Sequence, residues 1–85
     1  MSKTFQLDIF SAEKTIYHGP AVSLTAPGEA GYLGVLPNHA PLLTTLIPGK
    51  IVWKDAEGKS AVLESKTRGF LEIFKNEVNV ILSLG

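Results

Sequence analysis

Few side chains in this sequence could do chemistry: His18 and His39, Asp8 and Asp55, six glutamates, and the phenols of Tyr17 and Tyr32. General acid–base work needs a base within reach of the proton it takes and a further group to orient that base. His39 lies in the stretch Gly31 to Leu46, GYLGVLPNHAPLLTTL, where Tyr32 is the only other ionisable side chain, so no carboxylate or cation there tunes the imidazole. It reads as a hydrogen-bonded loop or contact residue. His18 stands beside Gly19 and reads as an exposed residue at a strand end. A metal needs three or four ligands at workable spacing, and two histidines 21 positions apart, with no cysteine, do not supply them. Gly31 and Gly34 lack the following helix and the Lys-Ser/Thr step of a phosphate loop, so they read as sites of positive φ or close backbone approach. Tyr17, Tyr32 and Trp53 would stack on bases only inside a basic groove; without one they read as core or interface aromatics. No catalytic residue, cofactor or metal is assigned.

What remains is shape, so the elements that hold these residues matter most. Apolar positions recur with period two or in short runs bounded by turn residues, and no window holds a helical 3.6 repeat. Phe5, Leu7 and Ile9 alternate with Gln6 and Asp8 in a first strand, and Ser11-Ala12-Glu13 turns the chain into Lys14 to His18. Gly19-Pro20 is expected to break that strand, with a new one from Ala21 to Ala26 ending at Pro27-Gly28. Gly31 onward is expected to be a shaped loop feeding a strand from Pro41 to Leu46. After Pro48-Gly49, Ile51 to Lys54 and Ser60 to Glu64 form a hairpin around Asp55-Ala56-Glu57-Gly58. Phe70 to Phe74 and Val78 to Leu82 pair across Lys75-Asn76-Glu77. The fold class is all-β: an antiparallel sandwich or flattened barrel of eight to ten short strands.

Composition narrows the partners. Eighty-five residues make one domain, and at this size folding removes only roughly 60–65% of the unfolded surface from water. Eight basic and eight acidic residues cancel, leaving no net field to gather nucleic acid. The absence of cysteine excludes disulfide and zinc–thiolate staples. The stretch MSKTFQLDIF has no long apolar run, and nothing approaches the ~20 apolar residues of a membrane-spanning helix, so membrane association is expected only through a partner.

The spaced residues carry a resemblance over nearly the whole length. Leu7-Asp8, Ser11-Ala12-Glu13, Gly19, Val22, Pro27-Gly28, Gly31 and Gly34-Val35-Leu36-Pro37-Asn38-His39-Ala40-Pro41-Leu42-Leu43 come first, followed by Pro48-Gly49, Gly69-Phe70 with Glu72, and Asn76 with Val78, Val80 and Leu82. In this order and spacing the chain resembles the N-terminal β-sandwich domain of the epsilon subunit of F-type ATP synthase. The resemblance implies a non-catalytic rotor subunit of the central stalk, one copy per complex and monomeric in isolation. Such a subunit links the gamma subunit to the c ring and couples ion-driven rotation to ATP synthesis. It also implies a peripheral position on the cytoplasmic face of a bacterial inner membrane.

Carried over by position, Gly28, Glu29, Ala30, Gly31, Tyr32 and Leu33 match the loop that faces the c ring. His39, Ala40, Pro41, Leu42 and Leu43 match part of the surface that faces gamma. Three departures stand out. Tyr32 occupies a position where many relatives are acidic, and Arg68-Gly69 replaces the usual Gly-Gly pair. The third is at the end of the sequence: relatives generally continue into a two-helix domain, whereas this one stops at Gly85, so the expectation is a single domain over residues 1–85 without the inhibitory helical hairpin or its ATP motif. Read without the resemblance, the same residues also fit a freestanding peptide- or carbohydrate-binding sandwich, with a small hydrolase a distant third.

Overall fold

Period-two alternation becomes strand after strand in a computed structural model, which describes residues 3–83. The outermost two residues at each end of the expected 1–85 domain, Gly85 among them, lie outside the described residues. Eight strands and no helix occur in the described part: β1 (Phe5–Ser11), β2 (Thr15–Gly28), β3 (Gly31–Val35), β4 (Leu42–Leu46), β5 (Gly49–Asp55), β6 (Ser60–Ser65), β7 (Gly69–Phe74) and β8 (Glu77–Leu82). Phe5, Leu7 and Ile9 of β1, Leu71 and Ile73 of β7, and Val78, Val80 and Leu82 of β8 are all buried, as their alternation dictates. They meet Leu24, Ala26, Val35, Leu46, Ile51 and Trp53 from the other strands in one apolar cluster. With no disulfide available, this packing holds the fold.

The pairings form two sets, β4-β7-β8-β1 and β3-β2-β5-β6, joined where β2 pairs with β1 along Thr15 to Ala21 and touches β4 at Gly28↔Leu46. The circuit β1-β8-β7-β4-β2 therefore closes on itself, which is the geometry of a flattened barrel. The expected antiparallel order holds for every pairing except β1 with β8, which run parallel from Gln6↔Glu77 to Ser11↔Leu82. The reason is topological. A ring of five strands cannot alternate direction all the way round, so one neighbouring pair must be parallel.

Two local expectations are corrected. Gly19-Pro20 does not break a strand: β2 runs unbroken for 14 residues, and His18 lies inside it rather than at an end. Pro20 pairs only with Gln6 on β1, and pairing with β5 begins at Ala21, so the missing N–H falls on a one-sided stretch of strand. The start of the loop expected from Gly31 onward is instead a strand that closes a hairpin, with β3 returning along β2 from Gly28↔Gly31 to Leu24↔Val35. Leu33 and Val35 share a face there and reach the core, a two-residue signal that the flanking glycines obscure.

The remaining turns follow their chemistry. The Asp55 carboxylate accepts from the amides of Glu57 (2.9 Å) and Lys59 (3.0 Å), and Gly58 takes φ +86°. Lys75 and Asn76 both take positive φ, 50° and 61°, which matches the right-handed twist of the two-residue β7–β8 hairpin.

Candidate functional site

The titratable groups are dispersed. His39 sits in the turn closed by its own amide donating to the Leu36 carbonyl (3.2 Å), and its Nδ1 lies 2.7 Å from the Ala40 carbonyl oxygen, which fixes the ring within the loop. His18 pairs across strands with Asp8 and is largely exposed. Tyr17 packs its ring 5.3 Å from Trp53 and donates to the Pro20 carbonyl (2.7 Å); burial first, and then the Asp55 charge, raise its pKa above the ordinary 10.0. Among the described residues no group of three or more His, Asp or Glu could hold a metal. No helix there is long and apolar enough to cross a membrane.

The two sets of residues expected to make contacts lie in separate parts of the fold. Gly28 to Leu33 form the β2–β3 hairpin tip: Glu29 and Ala30 make the turn, Tyr32 is exposed, and Leu33 packs against the core. Gly28 is required by close approach, since a Cβ there would stand 2.7 Å from Leu33 Cδ2 and 2.9 Å from the Gly31 carbonyl oxygen. His39 to Leu43 lie at the entrance to β4, beside open depressions of about 320 and 470 Å³ whose other walls are Glu72 to Asn76. Asn76 ties this corner together. Its Oδ1 accepts from the Asn38 amide (2.7 Å) and its Nδ2 donates to the Thr4 carbonyl (2.8 Å).

These two surfaces sit at opposite ends of β4. The tip meets the strand where Gly28 pairs with Leu46 and the Glu29 amide donates to the Thr45 carbonyl, whereas His39 to Leu43 lead into its start. Four residue steps along the strand take Leu42 to Leu46, about 13 Å.

Between them runs a third feature that the sequence reading missed. On the outward face of β4-β7-β8-β1, the register aligns Thr45, Phe70, Ile81 and Phe10 in one row and Leu43, Glu72, Asn79 and Asp8 in the next. Phe74 stands beside Glu77 and Gln6 in a third. Phe70 is 51% exposed, Phe74 57% and Leu43 70%. Large apolar side chains on the solvent side of one sheet, with Glu72 between the two phenylalanines and Asp8 and Glu77 on the flanking strands, have the mixed make-up of an interaction surface. The signal was present in Gly69-Phe70-Leu71-Glu72-Ile73-Phe74: if Leu71 and Ile73 face the core, period two forces both phenylalanines outward.

Comparison with known proteins agrees with this architecture. The family model described as the ATP synthase Delta/Epsilon chain, beta-sandwich domain, matches residues 4–83. The ATP synthase epsilon chain of Xanthomonas euvesicatoria pv. vesicatoria (strain 85-10) is 43% identical over 79 residues, covering 93% of this chain and 56% of the relative. That of Xylella fastidiosa (strain Temecula1 / ATCC 700964) is 41% identical over 78 residues, covering 92% and 55%. The chain thus spans just over half the length of these relatives. A chain in the cryo-EM structure of Euglena gracilis mitochondrial ATP synthase (OSCP/F1/c-ring, rotational state 1) superposes with a TM-score of 0.85 at 21% identity, over 93% of this chain and 50% of that one. One in the Tetrahymena thermophila mitochondrial ATP synthase central stalk and c-ring gives 0.77 at 13%, over 98% and 66%. At such identities these two establish the fold. The sandwich, its shaped hairpin and the match along residues 4–83 together make the chain a member of the ATP synthase delta/epsilon β-sandwich family.

Proposed function

We propose that this domain is a non-catalytic connector of the ATP synthase rotor, gripping the gamma subunit on one surface and the c ring on another. The exposed apolar side chains on the outward face of β4, β7 and β8 carry the reading, because a sheet face bearing Phe70, Phe74, Ile81 and Leu43 calls for a covering partner. In this reading gamma covers that face together with His39, Ala40, Pro41, Leu42 and Leu43 at its margin. The hairpin tip, Gly28 to Leu33, meets the ring at the far end of β4. The assembly is then peripheral to the membrane, on the cytoplasmic face in a bacterium, and the domain couples rotation to ATP synthesis without chemistry of its own.

The mechanics fit such a role. Moving one elementary charge through 100 mV releases about 2.3 kcal/mol, so a connector that yields at energies of that order would dissipate the drive. A closed, paired and close-packed sandwich deforms little. Holding gamma and the ring together calls for about 1,000 Å² or more of buried interface.

The test is capture. The protein co-expressed with gamma and the c ring in mild detergent should retain both, and cysteines at positions 39 and 32 should cross-link to gamma and to the ring respectively. Phe70→Asp should abolish gamma capture while leaving the fold intact. Undiminished capture by that variant, or cross-links from neither position, would overturn the reading.

A further inference from the structure

Two side chains that depart from the family pattern, Tyr32 and Arg68, converge on the hairpin tip from different directions. The Tyr32 hydroxyl accepts from the Lys50 amide of β5 (3.1 Å), and the ring lies against Gly49, where a Cβ would come 3.0 Å from its oxygen. Arg68, just ahead of β7, places Nη2 3.1 Å from Glu29 Oε2 at the turn. The backbone adds two further links, Glu29 amide to Thr45 carbonyl (3.2 Å) and Ile47 amide to Pro27 carbonyl (2.9 Å).

We infer that Tyr32 and Arg68 are positioning residues that brace the tip against both strand sets at once, β5 on one side and β4 with β7 on the other. A hairpin held only by its own ladder frays at its end. One tied to both layers moves only as the whole sandwich moves. The ion pair has a second consequence. Glu29 is the only acidic side chain from Gly28 to Leu33, and Arg68 supplies its counter-ion from within the chain, so the tip presents a compensated pair next to an aromatic ring. The partner loop that fits this surface is a polar one free of any requirement for a cation of its own. This last step rests on the proposed contact between tip and ring; the brace itself does not.

Hydrogen exchange on the full chain tests the brace, with Tyr32→Phe, Arg68→Gln and the conservative Arg68→Lys. Tyr32→Phe should speed exchange of the Lys50 amide about two- to tenfold, the range of one net hydrogen bond. Arg68→Gln should speed the Glu29 amide about two- to fivefold at low salt, with the difference shrinking in high salt and Arg68→Lys restoring part of it. Amides of the β7–β8 ladder should not change, which separates a local brace from general destabilisation. Unchanged exchange at both amides overturns the proposal. For the ring, Arg68→Gln should make capture more salt-dependent by uncovering Glu29. Faster exchange with capture and its salt dependence unaltered would sustain the brace and remove the ring from the tip.

Discussion

Single positions carry sharply different constraints in this domain. Gly69 is the strictest, because an added Cβ would run into the Ile81 carbonyl oxygen and crowd Leu82 Cδ2 at 3.1 Å. That carbonyl belongs to strand β8, directly beside β7, and cannot swing away as a side chain could. Gly69→Ala should therefore lose about 1–3 kcal/mol, read as a lower urea midpoint at unchanged m. Tyr17 sets a pH dependence. Its raised pKa means that above about pH 10 the unfolded chain releases the phenolic proton while the folded one keeps it, so stability falls as pH rises toward the folded value and levels off beyond it. Urea titrations across that alkaline window should show this slope in the parent protein and a flatter one in Tyr17→Phe. The wide spacing of the titratable side chains was legible at this scale, because it depends on which residue types exist and how far apart they stand. The pairing of Arg68 with Glu29, 39 positions away, was not.

At the scale of elements, the β7–β8 hairpin shows how one residue can serve two ends. Asn76 adopts positive φ, which asparagine tolerates better than most residues, and also bonds to Asn38 and Thr4. Asn76→Ala should cost about 1–3 kcal/mol in denaturant unfolding and release the loop carrying His39, visible as faster exchange of the Asn38 amide. Lys75 has a weaker second duty, its Nζ lying 5.4 Å from the centroid of the exposed Phe74 ring. Its φ of +50° is strained, and in Lys75→Gly relief of that conformation is offset by the entropy glycine adds to the unfolded chain and by the lost cation–π contact, so the denaturant midpoint should correspond to a change within about 0.5 kcal/mol. Strands with clean alternation, such as β1 and β8, were legible because period two needs no knowledge of neighbours. The continuous β2 was hidden behind Gly19-Pro20, since tolerance of proline depends on whether a second strand lies alongside. The β3 strand was hidden behind its glycines, since its apolar face consists of Leu33 and Val35 alone.

At the scale of the molecule, the closed circuit predicts one cooperative unit. Leu7 lies in β1, between the parallel partner β8 and the antiparallel partner β2, and is fully buried. Leu7→Ala should cost about 2–5 kcal/mol. Trp53 fluorescence, from β5 in the other strand set, should report the same midpoint as circular dichroism; separate midpoints would mean that the two sets unfold independently. Residue type and short-range periodicity were enough to read the chain as all-β, to tell which strand faces turn inward and to place most of the turns. Long-range pairing alone made β1 and β8 parallel, set the hairpin tip and the His39 loop at opposite ends of β4, lined up Phe70, Ile81 and Phe10 in one row, and brought Tyr32 and Arg68 to the tip from both sides. Those features depend on register between strands far apart in the chain, and register is set by closure of the whole sheet around a common core.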